Sequence, residues 1–396
     1  MGKGGIAYPD GFSASAVYCG IKDERKEDLS LIFSESPCIA AGTFTTNQFK
    51  SYSLLWTLKH IKNPVHAVLV NSGNANTCNG EENYKHTELI VHKIADLLKI
   101  KPHSVLTGST GTIGKPLPYE KIISALPELV KTLSPENHTL AARGIMTTDK
   151  ITKEFQIDTG IKGKYKNVYI GGMAKGAGMI NPCMATMLSF ITTDAVIERN
   201  VLQNVIKEAV EESFNMVNVD NDTSTNDMVI CLANGKAKNK RIESGSDEYK
   251  KFLSSLKILC TELAKMIASD GEGATKLIEV VVKGGWCLKD ARRVAKRIAG
   301  SNLFKSAVYG AYPNWGRILA AAGSVNAKMD IKKAEVSICG VKVYNGNPVK
   351  YDEENLHRLM EHSDKINVEV DIKKGLFSAT AWGCDLTEDY VKINKE

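Results

Sequence analysis

The chain has 396 residues, 43% of them hydrophobic and 24% charged, with 51 basic and 45 acidic side chains giving a net charge of +6. That is apolar enough to bury a large core, which excludes a disordered chain, and long enough for roughly two or three lobes at ~150 residues each. No apolar run reaches the ~18 residues of a membrane span, and the densest basic stretch, Lys236-Ala-Lys-Asn-Lys-Arg241, has acidic neighbours and no interleaved aromatic rings, so neither membrane nor nucleic acid is an expected partner.

The opening Met1-Gly-Lys-Gly-Gly-Ile6 has no apolar segment of the signal-peptide kind and no hydroxyl residue where a myristoylation signal needs one. Residues 65–70 read as a buried strand, with a polar turn over 71–77. A helix follows with Leu89, Ile90, Ile94, Leu97 and Leu98 on one face, stopped by Lys101-Pro102. A second helix over 118–131 contains Pro127, which must kink or cap it. Residues 168–171 form a strand leading into the glycine-rich stretch 172–178, and a strand resumes over 187–192. The pattern predicts a helix over 196–214 and a strand over 228–233. The longest helix starts near Asp247, keeps a 3.6-residue period through Ile267 and meets a glycine stop at Asp270-Gly-Glu-Gly273. A strand over 277–282 follows. Beyond it, strands over 334–344, 366–372 and 377–382 surround one helix over 353–362. The whole is an α/β (α+β) chain of mixed sheets layered with helices, closing on a small C-terminal α+β domain expected from about residue 325.

Nine cysteines form an odd set, no two within five positions of each other. This pattern excludes C-x-x-C pairs, does not suggest a disulfide framework, and fits a reduced, cytoplasmic setting. No H-E-x-x-H is present, and His86 and His92, six apart, do not share a helix face, so no metal is expected.

Three segments invite a chemical reading. Gly108-Ser-Thr-Gly-Thr-Ile-Gly-Lys115 resembles a phosphate loop only superficially: five residues separate Gly108 from Gly114, and Pro116 replaces the hydroxyl residue after the lysine. Its glycines either make turns, the commoner case, or place the amides around Thr110 and Gly111 in a cleft where they stabilise an oxyanion. Gly176-Ala-Gly178 lacks the next glycine of a dinucleotide fingerprint, and Cys183 has no histidine near it in sequence to activate it. Residues 220–226 alternate like the start of a calcium loop but lack its glycine and its terminal glutamate; a polar loop bonded to itself and its neighbours is the better reading.

The segment Lys175-Gly-Ala-Gly-Met-Ile-Asn-Pro-Cys-Met-Ala-Thr-Met-Leu188 resembles the self-cleavage signature of the ornithine acetyltransferase family, the glutamate N-acetyltransferases of arginine biosynthesis. Asn71-Ser-Gly-Asn-Ala-Asn76, Ser109-Thr-Gly111, Met146-Thr-Thr-Asp149, Asp222-Thr-Ser-Thr-Asn-Asp227, Asp270-Gly-Glu-Gly-Ala-Thr-Lys276, Pro313-Asn-Trp-Gly-Arg-Ile-Leu-Ala320 and Tyr390-Val-Lys-Ile-Asn394 resemble family segments in the same order. The resemblance implies a fold of the self-processing aminopeptidase and ornithine-acetyltransferase type. It implies cleavage between Ala185 and Thr186, so that residues 1–185 become one chain and 186–396 the other, the latter holding the rest of the core (186–324) and the C-terminal domain (325–396). It implies Thr186 as nucleophile, Thr110 and Gly111 as the oxyanion hole, and Thr148, Lys175, Thr186, Glu272 and Asn394 as substrate contacts. Family members continue past the position of Asn394 to a terminal threonine that also touches substrate; here Lys395-Glu396 follow, and no residue carries over to that contact.

The implied reaction moves an acetyl group from N-acetylornithine to glutamate through an acetyl-threonine, with no cofactor, acetyl-CoA being a co-substrate in the members that have a second activity. The implied assembly is an α2β2 heterotetramer of the cleaved chains. Two other functions stay open at this level: a self-processing amidohydrolase or aminopeptidase of the same fold, and a non-catalytic amino-acid-binding protein.

Overall fold

The computed structural model describes residues 2, 4–23, 25–181 and 187–395. In chain order its strands are β1 (Phe12–Val17), β2 (Leu29–Phe44), β3 (Val65–Asn74), β4 (Val105–Thr112), β5 (Lys153–Lys162), β6 (Asn167–Lys175) and β7 (Leu188–Thr193). They continue with β8 (Val217–Asn218), β9 (Met228–Ala233), β10 (Leu277–Gly285), β11 (Glu335–Ile338), β12 (Val341–Asn345), β13 (Lys365–Asp371) and β14 (Phe377–Cys384). Two compact units divide the chain: Met1–Gly176 with Cys183–Glu211 and Thr223–Leu263, and Ala177–Pro182 with Glu212–Asp222 and Ala264–Glu396.

The first unit is built on a mixed eight-stranded sheet in the order β4-β3-β2-β9-β7-β6-β5, with β1 paired to β2. The strand β2 is 16 residues long because it serves two sets of partners: Leu29 to Phe33 pair with β3, and Ile39 to Phe44 with β9. Its register shifts between Phe33 and Cys38, around Pro37, which cannot donate to a ladder. The apolar run of β3 is explained by burial on both faces: Ala67 and Leu69 belong to one core cluster, Val68 and Val70 to the other. The first of these clusters is closed by Ile90, Val91 and Ile94 of the helix Glu82–Leu98 and by Ile122, Leu126 and Leu129 of the helix Tyr119–Lys131. Leu89, expected on the inner face, is 51% exposed, and Val91 takes the buried place. The helix Tyr119–Lys131 continues through Pro127.

The second unit is a six-stranded sheet in the order β12-β11-β13-β10-β14-β8. Its central strand β10 runs parallel to β13 and antiparallel to β14. The sheet therefore needs residues from 277 onward, and the α+β region starts its main run at Ala264 rather than near 325. The helix Leu288–Ala299 buries Ala291, Val294, Ala295, Ile298 and Ala299 on one stripe and turns its basic residues outward. What the sequence suggested as one strand over 334–344 is a hairpin of β11 and β12: Cys339 (φ +48°) and Gly340 (φ +79°) form a turn with two left-handed residues.

Candidate active site

Several strands of the first unit extend beyond the apolar runs seen in the sequence. The stretch 71–74, expected as a turn, remains in β3; residues 108–112 remain in β4; and β6 reaches Lys175. Ser72 pairs with Thr110 and Gly73 with Gly111 in the parallel β3–β4 ladder, while Lys175 lies opposite Leu188, the first residue of β7. Leu188 follows Thr186 by two positions, so the strand that Thr186 precedes starts beside Lys175. Thr186 and Ala185, the expected nucleophile and cleavage position, lie outside the described residues, as does Cys183.

Lys175 is buried, and its ammonium donates to the Thr147 hydroxyl at 2.8 Å and to the Thr110 hydroxyl at 3.3 Å. Of the two adjacent threonines the structure thus brings Thr147 to Lys175, whereas Thr148, the expected substrate contact, has an exposed side chain. Gly111 has φ +130°, and a Cβ there would collide with the Gly73 carbonyl carbon and stand 2.6 Å from the Asn74 nitrogen. Only glycine lets the two strand ends approach this closely. Beneath them, buried asparagines replace apolar side chains. Asn71 accepts from the Ser109 hydroxyl at 2.6 Å and donates to the Asn74 carbonyl; Asn226 donates to the carbonyls of Ser109 and Ala75 at 2.7 and 2.6 Å. These bonds fix Ser109, just before Thr110, and the facing backbone of Asn74 and Ala75.

Three residues that sequence reasoning missed complete the charge pattern. Asp149 has a fully buried side chain that accepts from Lys153 Nζ and from the Gly176 amide, both at 2.7 Å, and from the Thr147 amide at 3.0 Å. Lys175 Nζ stands 3.9 Å from its other oxygen. Burial opposes ionisation of Asp149, but the charges of Lys175 and Lys153 and these hydrogen bonds outweigh it and hold the carboxyl well below the usual range. Lys153, also fully buried, and Lys175 share that one carboxylate, so the three groups carry a net positive charge. Lys22 adds a further cation nearby: burial lowers its pKa, Asp28 opposes this, and the Lys175 charge lowers it further. The signal for Asp149 was present as the acid of Met146-Thr-Thr-Asp149, but nothing in a sequence says which lysines a buried carboxylate will meet.

In the second unit Glu272 and Asn394, both expected as substrate contacts, come together: Asn394 Nδ2 donates to Glu272 Oε2 at 2.7 Å. The Glu272 amide donates to the Ala177 carbonyl at 2.8 Å, and a Cβ on Gly178 would run into the Glu272 carboxyl group. A cleft of about 650 Å³ also lies in this unit, lined by Tyr312, Trp315, Tyr351, His357 and Arg358 among others; among the described residues, none of the expected site residues lines it.

The family model described as the ArgJ family matches residues 13–396. This chain belongs to the ArgJ family. It is 46% identical over 393 residues to the arginine biosynthesis bifunctional protein ArgJ 1 of Clostridium acetobutylicum, covering 97% of this chain and 95% of that one. It is 42% identical over 397 residues to the arginine biosynthesis bifunctional protein ArgJ of Oceanobacillus iheyensis, covering 99% and 96%. Among solved structures it is similar to arginine biosynthesis bifunctional protein ArgJ from Bacillus halodurans, at 42% identity and a TM-score of 0.52, over 53% of this chain and 99% of that one.

Proposed function

We propose that this ArgJ-family chain transfers the acetyl group of N-acetylornithine to glutamate, giving ornithine and N-acetylglutamate for arginine biosynthesis. The observation that carries this reading is the assembly of Lys175, the Thr110 hydroxyl and the glycine-only position Gly111 where the strand after Thr186 begins. Lys175 and its neighbours are cationic and buried, which suits a substrate carboxylate or a developing oxyanion; Glu272, with Asn394, suits a cationic side-chain amine.

Thr186 is the proposed nucleophile. A threonine hydroxyl needs a base, and an N-terminal threonine carries its own: an α-amine with a reference pKa of ~8. Self-cleavage frees that amine. The Thr186 hydroxyl oxygen bonds to the Ala185 carbonyl carbon, the C–N bond breaks, and the hydroxyl proton ends on the new amine. Water then splits the ester into the Ala185 carboxylate and the free Thr186 hydroxyl. In turnover the same hydroxyl takes the acetyl group, releases ornithine and passes the group to the glutamate amine, so no cofactor has to carry it. The word bifunctional in the relatives' names suits a second entry of acetyl groups, from acetyl-CoA onto the same threonine. The B. halodurans chain also supports cleavage: 99% of it matches 53% of this chain, and residues 186–396, one expected product, are 53% of this chain by length. The α2β2 assembly, the cytoplasmic location and the roles of Thr148 and Asn394 belong to the same proposal.

The test is the fate of the acetyl group. With N-acetylornithine as donor, ornithine release should depend on glutamate and match N-acetylglutamate formed. Ornithine and acetate released at one rate with or without glutamate would instead identify an amidohydrolase.

A further inference from the structure

Residues 177–181 end four positions before the proposed cleavage point, and hydrogen bonds within the second unit hold Ala177, Met179, Ile180 and Asn181. The Ala177 carbonyl accepts from the Glu272 amide at 2.8 Å. Asp220 takes the amides of Met179 and Ile180 at 2.5 and 2.8 Å, one on each carboxylate oxygen. The Ile180 carbonyl accepts from the Val219 amide at 2.6 Å, and Asn181 Nδ2 donates to the Asn221 carbonyl at 3.0 Å.

The turn that supplies these groups is itself fixed. Asn218 and Asn221 exchange two hydrogen bonds, at 3.0 and 3.1 Å, Asn221 Nδ2 donates to the Gly300 carbonyl at 3.0 Å, and the buried Lys305 ammonium donates to the Val219 carbonyl. Asn221 has φ +68° and Met179, a residue with a long side chain, φ +56°. A left-handed conformation at a non-glycine residue is unfavourable on its own and persists where the surroundings impose it. At Met179 the imposing group is the Asp220 carboxylate, which bonds that residue's own amide and the next.

We propose that Asp220 is a positioning residue for self-cleavage: by fixing the backbone of Met179 and Ile180 it holds the acyl side of the Ala185–Thr186 bond in register for attack by the Thr186 hydroxyl. This rests on the self-cleavage reading above. Asp220 takes no part in bond making. It removes conformational freedom from the segment that carries the attacked carbonyl, and loss of such alignment slows an intramolecular attack by about ten- to a hundred-fold. Once the bond is cut, that constraint is no longer needed for the chemistry of acetyl transfer.

The experiment follows freshly synthesised full-length chain by intact mass, for the parent, Asp220→Ala and Asp220→Asn. The cleaved fraction of each is then purified and its kcat and thermal midpoint measured. The expected result is cleavage slowed at least ten-fold in Asp220→Ala and less in Asp220→Asn, which keeps one acceptor oxygen. Cleaved Asp220→Ala enzyme should show a kcat within about two-fold of the parent's. Parental cleavage rates in both variants would overturn the assignment. So would slow cleavage matched by an equal loss of kcat and of thermal midpoint, which marks a merely structural role. A parent that remains one chain overturns self-cleavage itself, and the clamp with it.

Discussion

Asp149 shows how one buried side chain can organise a site without being part of its chemistry. It pairs with Lys153, both side chains being inaccessible to solvent, and it also bonds the amide of Gly176, next to Lys175. Breaking a buried ion pair from one side leaves an uncompensated charge, so Asp149→Asn should cost about 3–5 kcal/mol of stability at neutral pH. Its folded pKa is depressed, so its contribution is complete above the ordinary carboxyl value near ~4 and fades as pH falls below that value toward the depressed one. The gap in unfolding free energy between parent and variant, measured by denaturant titration, should therefore be constant from pH 8 to about 5 and narrow below about 4. A gap that does not change with pH would show that the charge pairing is not its cause.

At the scale of elements, the strands and helices legible in the sequence have the expected type, but six of the eleven α-helices among the described residues were not legible and several strand ends around the candidate site were misjudged. The apolar runs at 65–70 and 168–171 mark only the part of each strand that lies in the core. Beyond them β3 and β6 continue to Asn74 and Lys175, because their backbones go on pairing with β4 and β7 there, and in β3 the Asn71 side chain adds a bond to the Asn74 carbonyl. Those extensions carry the candidate site residues, and period-2 hydrophobicity does not mark where they end. The strand β1 escaped for another reason: in Phe12-Ser-Ala-Ser-Ala-Val17 the apolar partners of the serines are mostly alanines, too small to give a strong alternation in hydrophobicity. Gly111 and Gly114 make the point testable. Both have positive φ, +130° and +81°, but a Cβ on Gly114 would have only the Cys78 carbonyl, at 4.0 Å, as a neighbour. Alanine at either should cost about 1–3 kcal/mol in backbone strain. Gly111→Ala should also separate the β3 and β4 ends and lower kcat about 10²-fold or more, while Gly114→Ala leaves kcat near the parent's. Equal losses of kcat in the two variants would remove Gly111 from the oxyanion hole.

At the scale of the molecule, the order of residues along the chain is not the order of its compact units. Residues 177–182 belong to the second unit although the first holds the chain on either side of them, and the second takes up 212–222 before its long run from Ala264. Lys175, Thr110, Gly111 and Asp149 stand in one unit; Glu272 and Asn394 stand in the other. A reading by segments could assign all of these residues but Asp149 through family resemblance, yet could not separate the units, since each draws on distant stretches of sequence. The same scale holds the central claim, that one threonine hydroxyl, exposed by cleavage of the chain, carries the acetyl group between two amino acids. Its most direct test is the intact mass of the purified enzyme after N-acetylornithine is added without glutamate, then with it. The account predicts two chains, the second beginning at Thr186, with one acetyl group gained on Thr186 and lost once glutamate arrives. Thr186→Ala should stay a single folded chain and gain none. An acetyl group carried elsewhere, or a Thr186→Ala protein that still transfers it, would contradict the account.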